Sequence, residues 1–269
     1  MHGLGNDFVL IDAVTQKVSL NNQQIRQLAD RKFGIGCDQL LLAEIPSTEN
    51  VDFRYRIFNS DGSEVEQCGN GARCFAQFVR YKGLTDKKRI KVETLAGELT
   101  LEVRDKSMVT VDMGIPVFDP ASVPFLAQHA SETYQVTLDS NQIEFSVVAI
   151  GNPHAVIFVD DVQTAAVQDI GSQLESHAWF PNRTNVQFVQ LENRNKINQR
   201  IFERGVGETM ASGSGACAAV AVARRLDRVD NTVQVQMPGG SLEIHCENNT
   251  GRIFMTGPTE LSFEGSVTL

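Results

Sequence analysis

Two glycine-rich stretches 144 positions apart are copies of one another, and no other feature constrains the fold of this 269-residue chain as strongly. The first is Cys68-Gly69-Asn70-Gly71-Ala72-Arg73-Cys74 and the second Ser212-Gly213-Ser214-Gly215-Ala216-Cys217. Two glycines and an alanine hold the same places in both. Each stretch runs into an apolar, helix-forming segment, so its first residue sits where a helix begins. Asn6-Asp7-Phe8-Val9-Leu10-Ile11-Asp12 is echoed by Asn152-Pro153-His154-Ala155-Val156-Ile157-Phe158-Val159-Asp160, a shift of 146. Ala96 to Leu101 is echoed by Gly239 to Ile244, and Gly114 by Gly257, both at a shift of 143. Three echoes and the glycine motif, in one order and near one offset, imply two homologous domains. The period is far longer than the roughly 20–50 residues of a solenoid repeat.

A chain of this length, 42% hydrophobic, can bury two ordinary cores. It has no long uncharged apolar run and no signal-peptide pattern, so neither a membrane span nor export is expected. Five cysteines without dense disulfide spacing fit a reducing cytoplasm. A net charge of −9 speaks against nucleic acid as a partner, while a local pocket can still hold a small anion.

Each half reads as strands around one long apolar helix. His2 to Asp12 is expected as a strand and Asn22 to Arg31 as a helix starting near an Asn cap. Asp52 to Asn59 alternates into the hairpin signal Asp61-Gly62. The first glycine motif follows, with Ala72, Phe75, Phe78 and Val79 spaced for one buried helix face. Arg89 to Val103 and Met108 to Met113 form a hairpin around Asp105-Lys106. The second half repeats the plan: strand 145–159, helix 162–174, strands 184–191 and 197–203, the glycine motif and its helix, and strands 232–246 and 252–256. The helix from Ala216 to Ala223 is apolar nearly all round, so it is expected to be enclosed by its sheet. The domains are placed at 1–115 and 116–258, with a last strand, 259–269, returning to the first and the stretch Ile115 to Phe125 as the link.

A cysteine just before Gly-Asn-Gly at a helix start has a chemical use. The first turn carries free N–H groups and the positive end of the helix dipole, a setting that suits a carboxylate. The same field favours thiolate over thiol, lowering a cysteine from its usual ~8.5. One motif can therefore hold a carboxylate and place a base beside its alpha carbon, and two facing motifs would place a group on either face. Taken singly, Gly-x-Gly is a tight turn and Cys68 a small core hydrophobe; the duplication argues for the chemical role.

Across essentially its whole length the chain resembles the diaminopimelate epimerase family. The match is carried by Met1-His2-Gly3-Leu4-Gly5-Asn6-Asp7-Phe8, Asp38-Gln39, Phe58-Asn59-Ser60-Asp61-Gly62-Ser63-Glu64, Gln67 to Cys74, Gly151-Asn152-Pro153-His154, Glu203-Arg204-Gly205 and Gly207 to Ala218. The resemblance implies an α+β fold of two homologous domains, each a curved, mostly antiparallel sheet wrapped round a central helix, with the active site in the interdomain cleft. It implies a cofactor-independent racemase of lysine and peptidoglycan biosynthesis, an isomerase using neither pyridoxal phosphate nor a metal. The substrate would be LL-2,6-diaminopimelate, epimerised to the meso form in the cytoplasm by a homodimer. By resemblance Cys68 is one of two catalytic bases. Gly69, Asn70, Gly213 and Ser214 supply donors for the reacting carboxylate. Asn59, Asn152, Asn185, Glu203 and Arg204 grip the distal end, with Asn6 and Gln39 lining the same pocket. For Asn59, turn formation is the plainer role. His154 fits the family pattern as a site residue or as a structural one.

The departure falls at the second base. Ser212 stands where the family has its second catalytic cysteine, and a hydroxyl is far too weak an acid to alternate with a thiolate near neutral pH. Cys217, five residues further on, lies inside the helix and does not replace it. Losing one positioned acid/base costs about 100- to 10,000-fold, so weak turnover with retained binding is expected. A deliberate Cys-to-Ser replacement, a low-activity paralogue and changed chemistry are all open readings of Ser212. The alternatives in function are a non-catalytic amino acid binding protein and a dehydratase of the proline racemase superfamily, in which the dehydratases carry a hydroxyl residue at the corresponding place. Cys37, Cys74 and Cys246 read as core residues. The family commonly carries a few residues before the equivalent of Met1-His2-Gly3, so a shortened first strand is expected.

Overall fold

The computed structural model describes residues 1–66, 68–105, 107–127, 129–139 and 141–268; Gln67 of the family match and Lys106 of the expected hairpin lie outside the described residues. The chain folds into two compact units, Met1–Asp112 with Thr256–Leu269, and Met113–Met255.

The first unit contains β1 (His2–Gly3), β2 (Asn6–Asp12), α1 (Asn22–Ala29), β3 (Gln39–Glu44), β4 (Phe53–Asn59), β5 (Glu64–Val65), α2 (Gly69–Tyr81), β6 (Arg89–Thr94) and β7 (Gly97–Val103). The strand β8 (Met108–Gly114) carries the chain into the second unit. The single strand expected over His2–Asp12 is interrupted. Leu4 (φ 58) and Gly5 (φ 88) turn the chain, and β1 folds back on β2 with His2 opposite Asp7. Asn21 caps α1 through a capping box: its Oδ1 accepts from Gln24 N at 2.9 Å and its N–H donates to Gln24 Oε1 at 3.0 Å. No alternation marks β3, because Leu40, Leu41, Leu42 and Ala43 are all buried.

The second unit contains β9 (Tyr134–Leu138), β10 (Asn141–Ala149), β11 (Pro153–Phe158), α3 (Val167–Glu175), β12 (Asn185–Asn193), β13 (Lys196–Glu203), β14 (Gly207–Thr209), α4 (Gly213–Arg225), β15 (Thr232–Met237) and β16 (Gly240–Cys246). The chain leaves it inside β17 (Ile253–Pro258). The strand expected over 145–159 is two strands parted at 150–152, where Gly151 takes φ 75. The helix expected from 162 starts at Val167, because Asp161 first closes a local turn onto Gln163 N and Thr164 Oγ1. The stretch 115–125 is built into this unit: Val117 bridges Ala149, and Val123 and Phe125 join a core with Phe145, Phe180 and Phe188. Beyond β17 the chain makes one bridge, His2 with Glu260, and residues 261–268 form no strand.

The repeat extends to strand register. In the first unit β2 and β3 run parallel with Phe8 beside Gln39; in the second β11 and β12 run parallel with His154 beside Asn185. Phe53 pairs with Val92 and Val92 with Leu99, as Ile197 pairs with Val235 and Val235 with Leu242. The remaining pairs around each helix are mostly antiparallel. Both central helices are 13 residues long, and α4 is buried from Gly215 through Ala223 without a break.

Glycine also sets the packing of α3, where a Cβ on Gly171 would lie 2.6 Å from Phe202 Cβ and 2.8 Å from its Cγ. Phe202 sits in β13 with 8% of its surface exposed and cannot swing away. Gly171→Ala is expected to destabilise the second unit by about 1–3 kcal/mol through overpacking. Urea unfolding measures it; an unchanged midpoint would contradict this packing.

Candidate active site

Cys68 and Ser212 occupy the same backbone setting. Each is the N-cap of its central helix, Cys68 at φ −142°, ψ 120° and Ser212 at φ −134°, ψ 121°. Their side chains differ in use. Ser212 Oγ accepts from Gly215 N at 3.4 Å, while Cys68 makes no side-chain cap bond. Tyr55, buried beneath α2, donates its hydroxyl to Cys68 O at 3.3 Å. Burial pushes the Tyr55 phenol well above its ordinary value, so it stays a donor.

The second glycine of each motif faces its sheet. A Cβ at Gly71 would meet Tyr55 Oη at 2.7 Å, and one at Gly215 would meet Ile201 Cδ1 at 2.7 Å and Gln199 Nε2 at 3.1 Å. These two glycines therefore serve helix-to-sheet packing. Gly69 and Gly213 are the first residues of α2 and α4, and Asn70 and Ser214 follow them.

In the first unit the structure gathers Asn6, Cys68 and Asn70. Asn6 Oδ1 lies 3.8 Å from Cys68 Sγ and 3.4 Å from Asn70 Nδ2. Asn6 Nδ2 donates to Asp38 Oδ2 at 2.9 Å. Behind Asp38 stands Arg31, whose Nη2 reaches Asp38 Oδ1 at 2.7 Å and whose guanidinium grips both oxygens of Asp7 at 2.8 Å. Burial alone would raise the Asp7 carboxyl, but its bonds from Arg31 and Asp38 outweigh it and hold the group below the usual range. Gln39 and Asn59 form a second pair, opposite each other in register, with Gln39 Nε2 donating to Asn59 Oδ1 at 2.9 Å. Asn59 also closes the hairpin it precedes, its N–H donating to Ser63 O at 2.9 Å.

In the second unit Asn152 Oδ1 lies 2.7 Å from His154 Nε2, and His154 Nδ1 lies 2.8 Å from Gln187 Nε2. Asn185 is 3% exposed and ties backbone to backbone: its Nδ2 donates to Pro153 O at 3.0 Å and its Oδ1 accepts from Arg204 N at 3.0 Å. Glu203 accepts from Thr209 Oγ1 at 2.5 Å across the β13–β14 turn. The Arg204 side chain is exposed and donates to Asn182 O at 3.2 Å. Glu175 supports the same turn, accepting from Gly205 N at 2.9 Å.

Several supporting residues escaped the sequence pattern. Asp38 stood in the family match without a role, and Asp7, Arg31, Gln187, Glu175 and Tyr55 carried none. One signal was available in the repeat itself. Arg56 forks onto Glu64 at 2.7 and 2.8 Å, and Arg200 forks onto Glu208 at 2.6 and 2.9 Å, at the same shift as the glycine motifs. Of the other cysteines, Cys37, Cys74 and Cys217 are buried, while Cys246, expected as a core residue, is only partly so at the end of β16. Burial pushes the Cys37 thiol up to about 11 and the Cys74 thiol up to about 12; it raises Cys246 too, and Cys217 lies fully buried inside α4.

Burial, reinforced by the charge of Arg204, pushes His154 down from 6.5 to about 3. Between those values the unfolded chain binds a proton that the native one does not, so the neutral ring's contribution is complete above pH 6.5 and lost as the pH falls. Stability should fall by up to about 1.4 kcal/mol per pH unit over that window. Urea titrations at pH 7, 6 and 5 read it, before most carboxylates protonate. His154→Gln should flatten the slope; an unaltered slope would show that His154 does not titrate this way.

A family model described as diaminopimelate epimerase matches residues 1–118 and 146–262. The diaminopimelate epimerase of Teredinibacter turnerae is 54% identical over 269 residues, covering 100% of this chain and 98% of that protein. Among solved structures, a hydroxyproline epimerase from Agrobacterium vitis superposes with a TM-score of 0.68 at 15% identity, covering 95% of this chain and 87% of that one. A PhzF-family phenazine biosynthesis protein of Bacillus anthracis does so with a TM-score of 0.66 at 16% identity, covering 96% and 91%. At such identities these two show a shared fold. With the family match spanning both repeats and a relative alike from end to end, the chain belongs to the diaminopimelate epimerase family.

Proposed function

We propose that this chain is built to epimerise LL-2,6-diaminopimelate to meso-diaminopimelate without a cofactor, and that Ser212 throttles the reaction. The observation that carries this reading is the matched backbone of Cys68 and Ser212 at the two helix starts. In the proposed reaction the Cys68 thiolate takes the alpha proton, the Cα–H bond breaking as S–H forms. N–H groups at the starts of α2 and α4, from Gly69, Asn70, Gly213 and Ser214, stabilise the charge that develops on the carboxylate. Inversion then requires a proton delivered to the opposite face. Ser212 would have to become an alkoxide to deliver it, so that step is slow. Return of a solvent-exchanged proton from Cys68 is left as the faster route, and it retains configuration.

Arg204 suits the distal carboxylate as a bidentate donor and Glu203 the distal ammonium. Asn59, Asn152 and Asn185, with Asn6 and Gln39, complete that end in this reading. The same reading makes the protein a cytoplasmic homodimer acting on a small molecule.

Interconversion of the LL and meso forms in deuterated solvent tests the proposal. Ser212→Cys should turn over at least about a hundredfold faster than the parent chain, which should exchange deuterium into one stereoisomer with retention. Equal inertness of both, with ligand still bound, would sink the epimerase reading and favour an amino acid binding protein.

A further inference from the structure

Asn6 and Asn152 hold the same place in the two repeats, yet their carboxamides are bonded the opposite way round. Asn6 spends its donor end. Its Nδ2 faces Asp38 Oδ2 at 2.9 Å, and an ionised carboxylate only accepts, so the contact decides which end of the amide points there. The carbonyl oxygen is left on the Cys68 side. Asp38 cannot easily turn to release it. Asp38 Oδ1 is held by Arg31 at 2.7 Å, Oδ2 also accepts from Asp7 N at 3.2 Å, and the Asp38 backbone N–H donates to Asp7 Oδ1 at 2.7 Å.

Asn152 spends its acceptor end. The Gln187 amide nitrogen, 2.8 Å from His154 Nδ1, is a donor only, so Nδ1 accepts and the neutral ring carries its proton on Nε2. That proton meets Asn152 Oδ1 at 2.7 Å. Both His154 and Gln187 are fully buried, so no solvent molecule competes for the ring. The parallel register of β11 and β12 places Gln187 beside Val156, two residues along from His154 on the same face.

We propose that Asp38 and the His154–Gln187 pair are positioning residues that lock the two repeat-related amides with opposite polarity, so that the first unit presents the Asn6 oxygen and the second an Asn152 N–H. The proposal rests on the epimerase reading for its ligand. An amino acid end carries an ammonium, which needs an acceptor, and a carboxylate, which needs a donor. An unlocked amide could present either end to either group, and half its orientations would place like polarity together. Two different locks on one duplicated asparagine remove that ambiguity, which duplication of an identical lock would not do.

Long-range 15N NMR of the histidine rings in the intact, unsubstituted chain tests the polarity directly. The His154 ring is expected with Nε2 protonated and Nδ1 pyridine-like. The opposite tautomer means that the Gln187 and Asn152 amides are turned over, which gives Asn152 the polarity of Asn6 and overturns the proposal. In the Ser212→Cys background, Asp38→Ala and Gln187→Met should each raise KM for diaminopimelate about tenfold while kcat stays within about twofold. Asp38→Glu, which keeps an acceptor, should recover most of the loss. Thermal melts separate a folding defect from a binding one. Unchanged KM in variants that fold and turn over refutes the locks. Inactivity of Ser212→Cys itself refutes the epimerase reading, and the tautomer measurement then still decides the polarity.

Discussion

A Cβ at Gly71 would lie 2.7 Å from Tyr55 Oη, and one at Gly215 2.7 Å from Ile201 Cδ1, so the first turn of each central helix is pressed onto its sheet as closely as glycine permits. Tyr55 and Ile201 are buried and have nowhere to move. That contact fixes the height of each helix over its sheet. It thereby fixes the N-cap three residues earlier, within one turn: Cys68 and Ser212 emerge at nearly the same φ and ψ. A larger residue there would lift the helix start and displace the free N–H groups with it. The constraint is steric.

The two repeats share this scaffold while the residues at the two helix starts differ. The hairpin that feeds each glycine motif is pinned by the same fork of arginine on glutamate, Arg56 on Glu64 and Arg200 on Glu208. All four side chains are between one fifth and one third exposed, so each fork stabilises modestly; its use lies in orientation, because a bidentate pair admits one geometry. On that common frame Gln39 and Asn185 stand at equivalent ladder positions and do different work. Gln39 bonds Asn59, a side chain, whereas Asn185 ties Pro153 O to Arg204 N. The first unit keeps a polar surface there, and the second uses the same place to anchor the turn carrying Arg204.

What the sequence revealed was local or periodic. The glycine motifs, the capped helix α1, the alternating strand before Asp61-Gly62 and the all-apolar helix α4 carry their signals within a few residues, and each is present. The failures have equally definite causes. Gly5 marked a turn inside His2–Asp12, but the apolar run around it reads as one strand. Leu40 to Ala43 are buried on both faces, so β3 has no alternation to detect. Asp161 captured the residues before α3 in a turn, moving the helix start to Val167. In the site, residue types were legible by resemblance, but their partners were not. Asp38 reaches Asn6 across 32 positions and Gln187 reaches His154 across 33, through parallel strand pairs whose register no local pattern encodes.

Position 212 shows stability and chemistry competing for one atom. Serine is among the best N-caps, worth about 0.5–2 kcal/mol over a residue without an acceptor, and Ser212 Oγ is engaged in that role with Gly215 N. The 3.4 Å separation places its gain at the lower end of that range. Cys68 has no such bond, and the first unit holds its helix start by other means: Tyr55 on the Cys68 carbonyl and the tight seat of Gly71. A thiol at a helix start is thus a poorer cap than a hydroxyl, which in turn is the far weaker acid. Because the backbone is the same at both positions, exchanging the side chain alters chemistry far more than fold. The duplicated motif therefore sets, within one molecule, a helix start capped by its side chain beside one that is not.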